Sequence, residues 1–144
     1  MATTVRQLLE GKPNVFWVTP DASVYEALRL MAERNVGALL VLAGGEIRGI
    51  FSERDYARKV ILVGKSSRDT PVKEIMTSKV VCVEPSWTTD QCMALMTEKR
   101  VRHLPVLERE RLVGVISIGD VVRAVVDEQA TTIRHLQAYI TSGA

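Results

Sequence analysis

Two short stretches of this 144-residue chain carry side chains whose types and spacing could do chemistry. They are Gly49-Ile50-Phe51-Ser52-Glu53-Arg54-Asp55 and Gly114-Val115-Ile116-Ser117-Ile118-Gly119-Asp120. Each reads as a buried apolar strand that stops at a hydroxyl residue, with a carboxylate three positions further on where a helix begins. A Ser at the N-cap can accept a bond from a free backbone N–H, and an Asp in the first turn sits at the positive end of the helix dipole. The same two groups, beside unpaired N–H donors, can receive a ribose diol and its attached phosphate. Ser-x-x-Asp is also a plain capping arrangement, so both readings stay open. Its appearance twice, in register, needs a further explanation.

The elements that must position these corners follow from periodicity. Val5-Arg6-Gln7-Leu8-Leu9 reads as a short helix ending near Gly11, with Pro13 as a stop. Val15-Phe16-Trp17-Val18 is extended. Ser23-x-x-Glu26 is a capping box, and Val24, Ala27, Leu28 and Met31 supply a helical stripe. The strand 37–42, the Gly44-Gly45 turn and the strand 47–51 form a hairpin, followed by a helix from about Glu53 to Val63. Residues 64–71 are polar and turn-rich, a connector. The order then repeats: a helix over 72–76, an extended Val80–Val83, a capping box Thr88-x-x-Gln91, a stripe with Met93 and Met96, strands over 101–107 and 112–116, and a helix from Ile118 to about Glu128.

Sliding the chain by 65 positions aligns Pro20–Asp55 with Pro85–Asp120 without a gap and gives 11 identities in 36, where chance gives about two. Most are apolar core choices such as Leu39/Leu104 and Val41/Val106. Gly49/Gly114, Ser52/Ser117 and Asp55/Asp120 are not, and they fall together at the strand-to-helix corner. Half the chain is marginal as an independent domain, so the copies are expected to pack around a pseudo-two-fold axis and share a core.

Two β-α-β-β-α copies of this length, each with such a strand and a Gly-h-h-Ser-x-x-Asp corner (h apolar), resemble a tandem CBS-domain pair, also called a Bateman module. The resemblance covers about Val5 to Glu128. It implies an α/β chain of the α+β kind, with repeat 1 and its leading helix at 1–63, the connector at 64–71, repeat 2 at 72–128 and a C-terminal helix or tail at 129–144. It further implies that clefts between the repeats bind adenosine-containing ligands: AMP first, then NAD, ATP or ADP, or S-adenosylmethionine. Asp55 and Asp120 would hold ribose hydroxyls, since an ionised carboxylate accepts from both hydroxyls of a cis-diol. Ser52 and Ser117, with the backbone of Glu53, Arg54, Ile118 and Gly119, would line the ribose or phosphate. Adenine would lie near Val18, Thr19, Val36, Gly37 and Ala38 in one copy, and near Val83, Glu84 and Val101 in the other. Arg102 and His103 replace Gly37 and Ala38, so the two sites are not equivalent; Arg102 suits a phosphate, or is a solvated surface charge. His103 is a ligand contact or a hydrogen-bonded core histidine. Arg54 and Arg58 face a second phosphate, or are surface charges. Similar modules pair into homodimers, and Val122, Val125, Val126, Ile133, Leu136 and Ile140 supply apolar surface for this.

Other classes fit less well. The sequence carries no Gly-x-Ser-x-Gly elbow, Walker A loop, Gly-x-Gly-x-x-Gly or His/Cys/Asp ligand cluster, so an enzyme is not expected. His135 has no partner to make it a base. Basic and acidic residues nearly balance, 19 against 17, which weakens nucleic-acid binding through Arg54, Arg58, Lys59, Lys65 and Arg68. The run Val36–Ala43 is too short to span a bilayer, and the charged opening residues argue against a secretory signal, so the cytoplasm is expected. Cys82 and Cys92 are expected in the core, and Trp17 and Trp87 in packing, at the interior or at a dimer face. The leading reading is a non-catalytic regulatory sensor; the alternative is a structural or dimerisation module with vestigial clefts.

Overall fold

The structure, a computed structural model, describes residues 3–12 and 15–143. In chain order the elements are α1 (Val5–Leu9), β1 (Trp17–Val18), α2 (Val24–Arg34), β2 (Ala38–Ala43), β3 (Glu46–Ser52), α3 (Glu53–Tyr56), α4 (Thr89–Lys99), β4 (His103–Glu108), β5 (Arg111–Ser117) and α5 (Ile118–Gly143). They divide into two compact units: residues 15–80, and residues 3–12 together with 81–143. The mixed helix and strand content is that of an α+β chain.

In the first unit β1 runs parallel to β2 through Val18 and Val41, and β2 pairs antiparallel with β3. The hairpin turns at Gly44 and Gly45, with φ of 60° and 80°, a left-handed pair that matches the twist of the flanking strands. The second unit repeats the scheme 65 residues later. Val83 bridges Val106 in parallel, β4 and β5 form the hairpin, and Arg109 and Glu110 take the same left-handed turn with φ of 52° and 65°. Even the helix ends repeat: α2 stops at Asn35 and α4 at Arg100, both left-handed. Thr88 and Gln91 cap α4 reciprocally; at α2 the Ser23 hydroxyl accepts from the Glu26 N–H at 3.0 Å.

The leading segments show what sequence alone did not. α1 docks on the second unit's repeat, where the N–H groups of Val5 and Arg6 donate to the carbonyls of Trp87 and Pro85 at 2.7 and 2.9 Å. Val72 and Lys73 make the equivalent bonds to Ala22 and Pro20, at 2.8 and 3.0 Å, in the first unit. Each unit therefore takes its leading segment from the other sequence repeat. The two repeated glycines sit under these segments. A Cβ on Gly49 would lie 2.6 Å from the Met76 sulfur and 2.8 Å from the Thr77 carbonyl, and one on Gly114 would lie 2.5 Å from a Leu9 methyl. Each unit has its own buried cluster: Val24, Ala27, Met31, Leu39, Val41, Phe51, Val60, Val72 and Ile75 in the first, and Val5, Val83, Cys92, Met96, Leu104, Val106, Ile116 and Val121 in the second.

Four other expectations change. The helix after the first corner is α-helical only to Tyr56 and continues as a π turn, Ala57–Ile61. Residues 72–74 form a 3-10 turn, because Pro71 offers no side-chain cap where Thr4 and Gln7 cap α1 reciprocally. The closing helix does not stop at Glu128; α5 is a single 26-residue helix. Cys92 is buried whereas Cys82 is only partly so. Of the two tryptophans, Trp87 packs on the second cluster and Trp17 is half-exposed. Pro13 lies outside the described residues.

Candidate functional site

Both corners are built the same way. The last residue of β3 or β5 pairs with the start of the neighbouring strand, Ser52 with Ala38 and Ser117 with His103. The first helical N–H then donates to the carbonyl of the residue just before that neighbouring strand: Glu53 to Gly37 at 3.1 Å, and Ile118 to Arg102 at 2.8 Å. The Asp then closes back on the Ser. In the first unit the Asp55 N–H donates to Ser52 Oγ at 3.2 Å, and Asp55 Oδ2 accepts from the Ser52 N–H at 3.0 Å. In the second the Asp120 N–H donates to Ser117 Oγ at 3.2 Å, and Asp120 Oδ2 accepts from the Ser117 N–H at 2.8 Å. Both corners are thus reciprocal caps. Three N–H donors at each corner are thereby already engaged.

The carboxylates differ in what else they hold. Asp55 is buried at 7% exposure. Its Oδ1 accepts from Thr77 Oγ1 at 3.2 Å and pairs with Lys59 at 3.0 Å, while Oδ2 also accepts from Ser52 Oγ at 3.1 Å. Asp120 faces an open cavity of about 1070 Å³ whose lining includes Lys12 and Arg123. It pairs with Lys12 through Oδ2 and with Arg123 through Oδ1 at 2.8 Å. Burial is the largest single influence on the Asp120 carboxyl and raises its pKa, but the Lys12 hydrogen bond, the Ser117 bonds and the Lys12 charge together outweigh it, so its pKa is lowered. Lys12, supplied by the leading segment, was not among the expected site residues. Its signal was weak, a lone cation after a short helix.

The remaining expected residues are distributed around these corners. Val36 is half-buried against the first core, and Val36 and Gly37 line a cavity of about 350 Å³ with Leu28, Met31, Ala32, Asn35 and Glu53. Val18 lies in β1, next to Thr19, which is exposed. Arg54 and Arg58 are exposed, one on α3 and one on the π turn, and neither approaches Asp55 as Lys59 does. Val83 is buried, Val101 half-buried, and Gly119 has room beside Ser117 and Arg123. Arg102 is exposed, while His103 points from the first position of β4 into a largely buried setting. The cavity walls include Asp120 but neither His103 nor Ser117.

Burial, the nearby Lys12 and Arg102 charges hold the His103 imidazole below its usual 6.5, against an opposing pull from Asp120. The unfolded chain then takes up the proton first as pH falls through 6.5, so stability is complete above that pH and declines below it. Urea midpoints between pH 7.5 and 5.5 should fall in the native protein and stay flatter in His103→Gln; parallel slopes would remove His103 as the source. Asp120 acts in a separate window, losing its contribution only as pH drops below the ordinary carboxylate value of 3.8.

Among the described residues, no helix is long and apolar enough to cross a membrane. The CBS-domain family model matches residues 5–62 and again residues 72–127. CBS domain-containing protein CBSX3, mitochondrial, of Arabidopsis thaliana is 42% identical over 152 residues, covering 99% of this chain and 74% of its own length. A solved protein with CBS domains from Burkholderia ambifaria MC40-6 is 56% identical, covers 88% of this chain and 96% of its own, and superposes with a TM-score of 0.85. The CBS domain pair of protein MJ0100, solved in complex with 5'-methylthioadenosine and S-adenosyl-L-methionine, shares the fold at 22% identity and a TM-score of 0.77, over 89% of this chain and 99% of its own. Two family matches in tandem, a repeat that persists down to single bridges and turns, and neighbours with the same fold make this chain a tandem pair of CBS domains, a member of a family of non-catalytic regulatory modules.

Proposed function

We propose that the chain is a sensor whose second-unit corner binds an adenosine-containing ligand, AMP first, with NAD, ATP or ADP and S-adenosylmethionine as the other candidates. The observation that carries this is Asp120, a carboxylate kept ionised at the wall of an open cavity with two cations beside it. A ribose cis-diol donates to Asp120 in place of Lys12 and Arg123, and the two freed cations then face the phosphate. The complex of MJ0100 supports the ligand class by shared fold. Binding is a signal only if the ligand favours one state of the module over another, and α5 starts at this corner, so it is the element that reports occupancy to a second copy or a downstream protein.

Asp55 favours a second reading for the first unit. With every oxygen engaged and the group buried, that corner serves as a structural clamp on Thr77. If both corners were clamps, the chain would be an assembly module only.

Thermal melting with AMP, ATP, NAD and S-adenosylmethionine tests the sensor reading. A ligand at a hundred times its Kd adds about 2.7 kcal/mol, a rise in Tm of roughly 5–10 °C for a chain of this size. No shift with any of the four would leave the assembly reading in its place.

A further inference from the structure

Lys12 reaches Asp120 from a fixed platform. The Val5 and Arg6 N–H groups dock α1, and Leu8 and Leu9 pack on the second core. Gly11, at φ 74°, turns the chain after α1, and the Lys12 N–H donates back to the Leu9 carbonyl at 3.2 Å. The backbone carrying Lys12 is therefore held by the unit itself. Its side chain is 28% exposed and that of Asp120 11%, whereas Arg123, the other cation on Asp120, is 74% exposed. Water can satisfy Arg123 when it leaves the carboxylate. Lys12, mostly covered, needs an anion in place of the one it gives up. The wall offers no equivalent: Glu128 is engaged by the Thr3 N–H and the Thr89 hydroxyl, and Glu10, Asp90 and Asp127 are exposed, where an ion pair adds little.

We propose, resting on the reading of Asp120 as the ribose acceptor, that Lys12 is the specificity-determining residue of this site: it admits phosphorylated adenosine compounds and turns away unphosphorylated ones. A ribose that takes Asp120 must displace Lys12. When that ribose carries a phosphate, the ammonium exchanges one anion for another and the charges stay paired. Adenosine and 5'-methylthioadenosine bring no anion. Their ribose would make the same bonds to Asp120 but strand the ammonium, so the gain at the carboxylate is offset at the cation. The remaining carboxylates of the lining sharpen the dependence, since Glu10, Asp90, Asp127 and Glu128 repel any phosphate that Lys12 and Arg123 do not hold. One side chain thus does two opposite things. It competes with every ribose and rewards only those that bring a phosphate.

Titration calorimetry of the full chain with AMP, adenosine and 5'-methylthioadenosine, on the native protein, Lys12→Met and Lys12→Arg, tests this role. The native protein should bind AMP about tenfold or more tighter than either unphosphorylated compound, and Lys12→Met should bring all three within about threefold of one another. The change must come from both sides: AMP weaker, adenosine tighter. Lys12→Arg, which keeps the charge, should keep the native order. An unchanged preference in Lys12→Met would mean that the phosphate is held elsewhere, and AMP lost with no gain for adenosine would make Lys12 a support for the shape of the corner. Either result overturns the proposal and leaves the ribose site standing. Failure of all three compounds to bind both the native protein and Lys12→Met removes the ribose site, and the proposal with it.

Discussion

Asp55→Ala is expected to lower stability by about 3 kcal/mol, and Asp120→Ala by only about 1–2 kcal/mol, although the two residues are equivalent by sequence. Both changes remove a helix cap. Only at Asp55 does the deletion also strip a buried group of bonds from Thr77 and from the Ser52 hydroxyl. The partners of Asp120 lose less. Arg123 is 74% exposed in its side chain, so it can turn to water, and pairs of that kind add little. Urea midpoints measure the difference, and equal losses would show that the two corners do the same structural work. The ligand response should divide the other way. At a fixed AMP concentration the rise in Tm should vanish in Asp120→Ala and persist in Asp55→Ala, and a full rise in Asp120→Ala would remove that carboxylate from the binding site.

Gly49→Ala carries the second large effect, about 2–3 kcal/mol and a fall of roughly 5–12 °C in Tm. The added methyl would meet both the Met76 side chain and the Thr77 carbonyl. Thr77 cannot withdraw cheaply, because its backbone N–H and C=O are both bonded to Ile50 at 2.9 Å. Gly114→Ala meets only the end of the Leu9 side chain, which can move to another rotamer. Its expected cost is below about 1.5 kcal/mol. Similar melting curves for the two variants would mean that the segment over Gly49 yields as readily as Leu9 does.

The repeat was legible because packing writes itself into residue type: Leu39 and Leu104, or Val41 and Val106, face equivalent cores and so keep equivalent side chains. The corners were legible because Ser-x-x-Asp at the end of an apolar strand can cap the helix that follows, and both do so. The destination of the leading segments was not. Gly49 and Gly114 stood out in the alignment as non-core identities, but a glycine records only that something approaches, and Met76 and Leu9 could be named only from the folded chain. The π turn at 57–61 was hidden because its side-chain pattern is the same as that of an α-helix. The length of α5 was readable in principle, as neither proline nor glycine interrupts the chain between Gly119 and Gly143. Lys12 escaped notice because its importance comes from the carboxylate 108 positions away.

The crossed docking of α1 and residues 72–77 separates the unit of descent from the unit of folding. A chain cut anywhere between 64 and 71 yields one piece whose opening helix has no sheet of its own to lie on, and another whose first turn has left its glycine behind. Neither piece is a small version of the whole, and mixing the two should restore what each lacks. A lone ancestral half would have met the same difficulty, and two identical halves trading their first turns would have solved it. Joining two such halves in one chain makes that exchange independent of concentration.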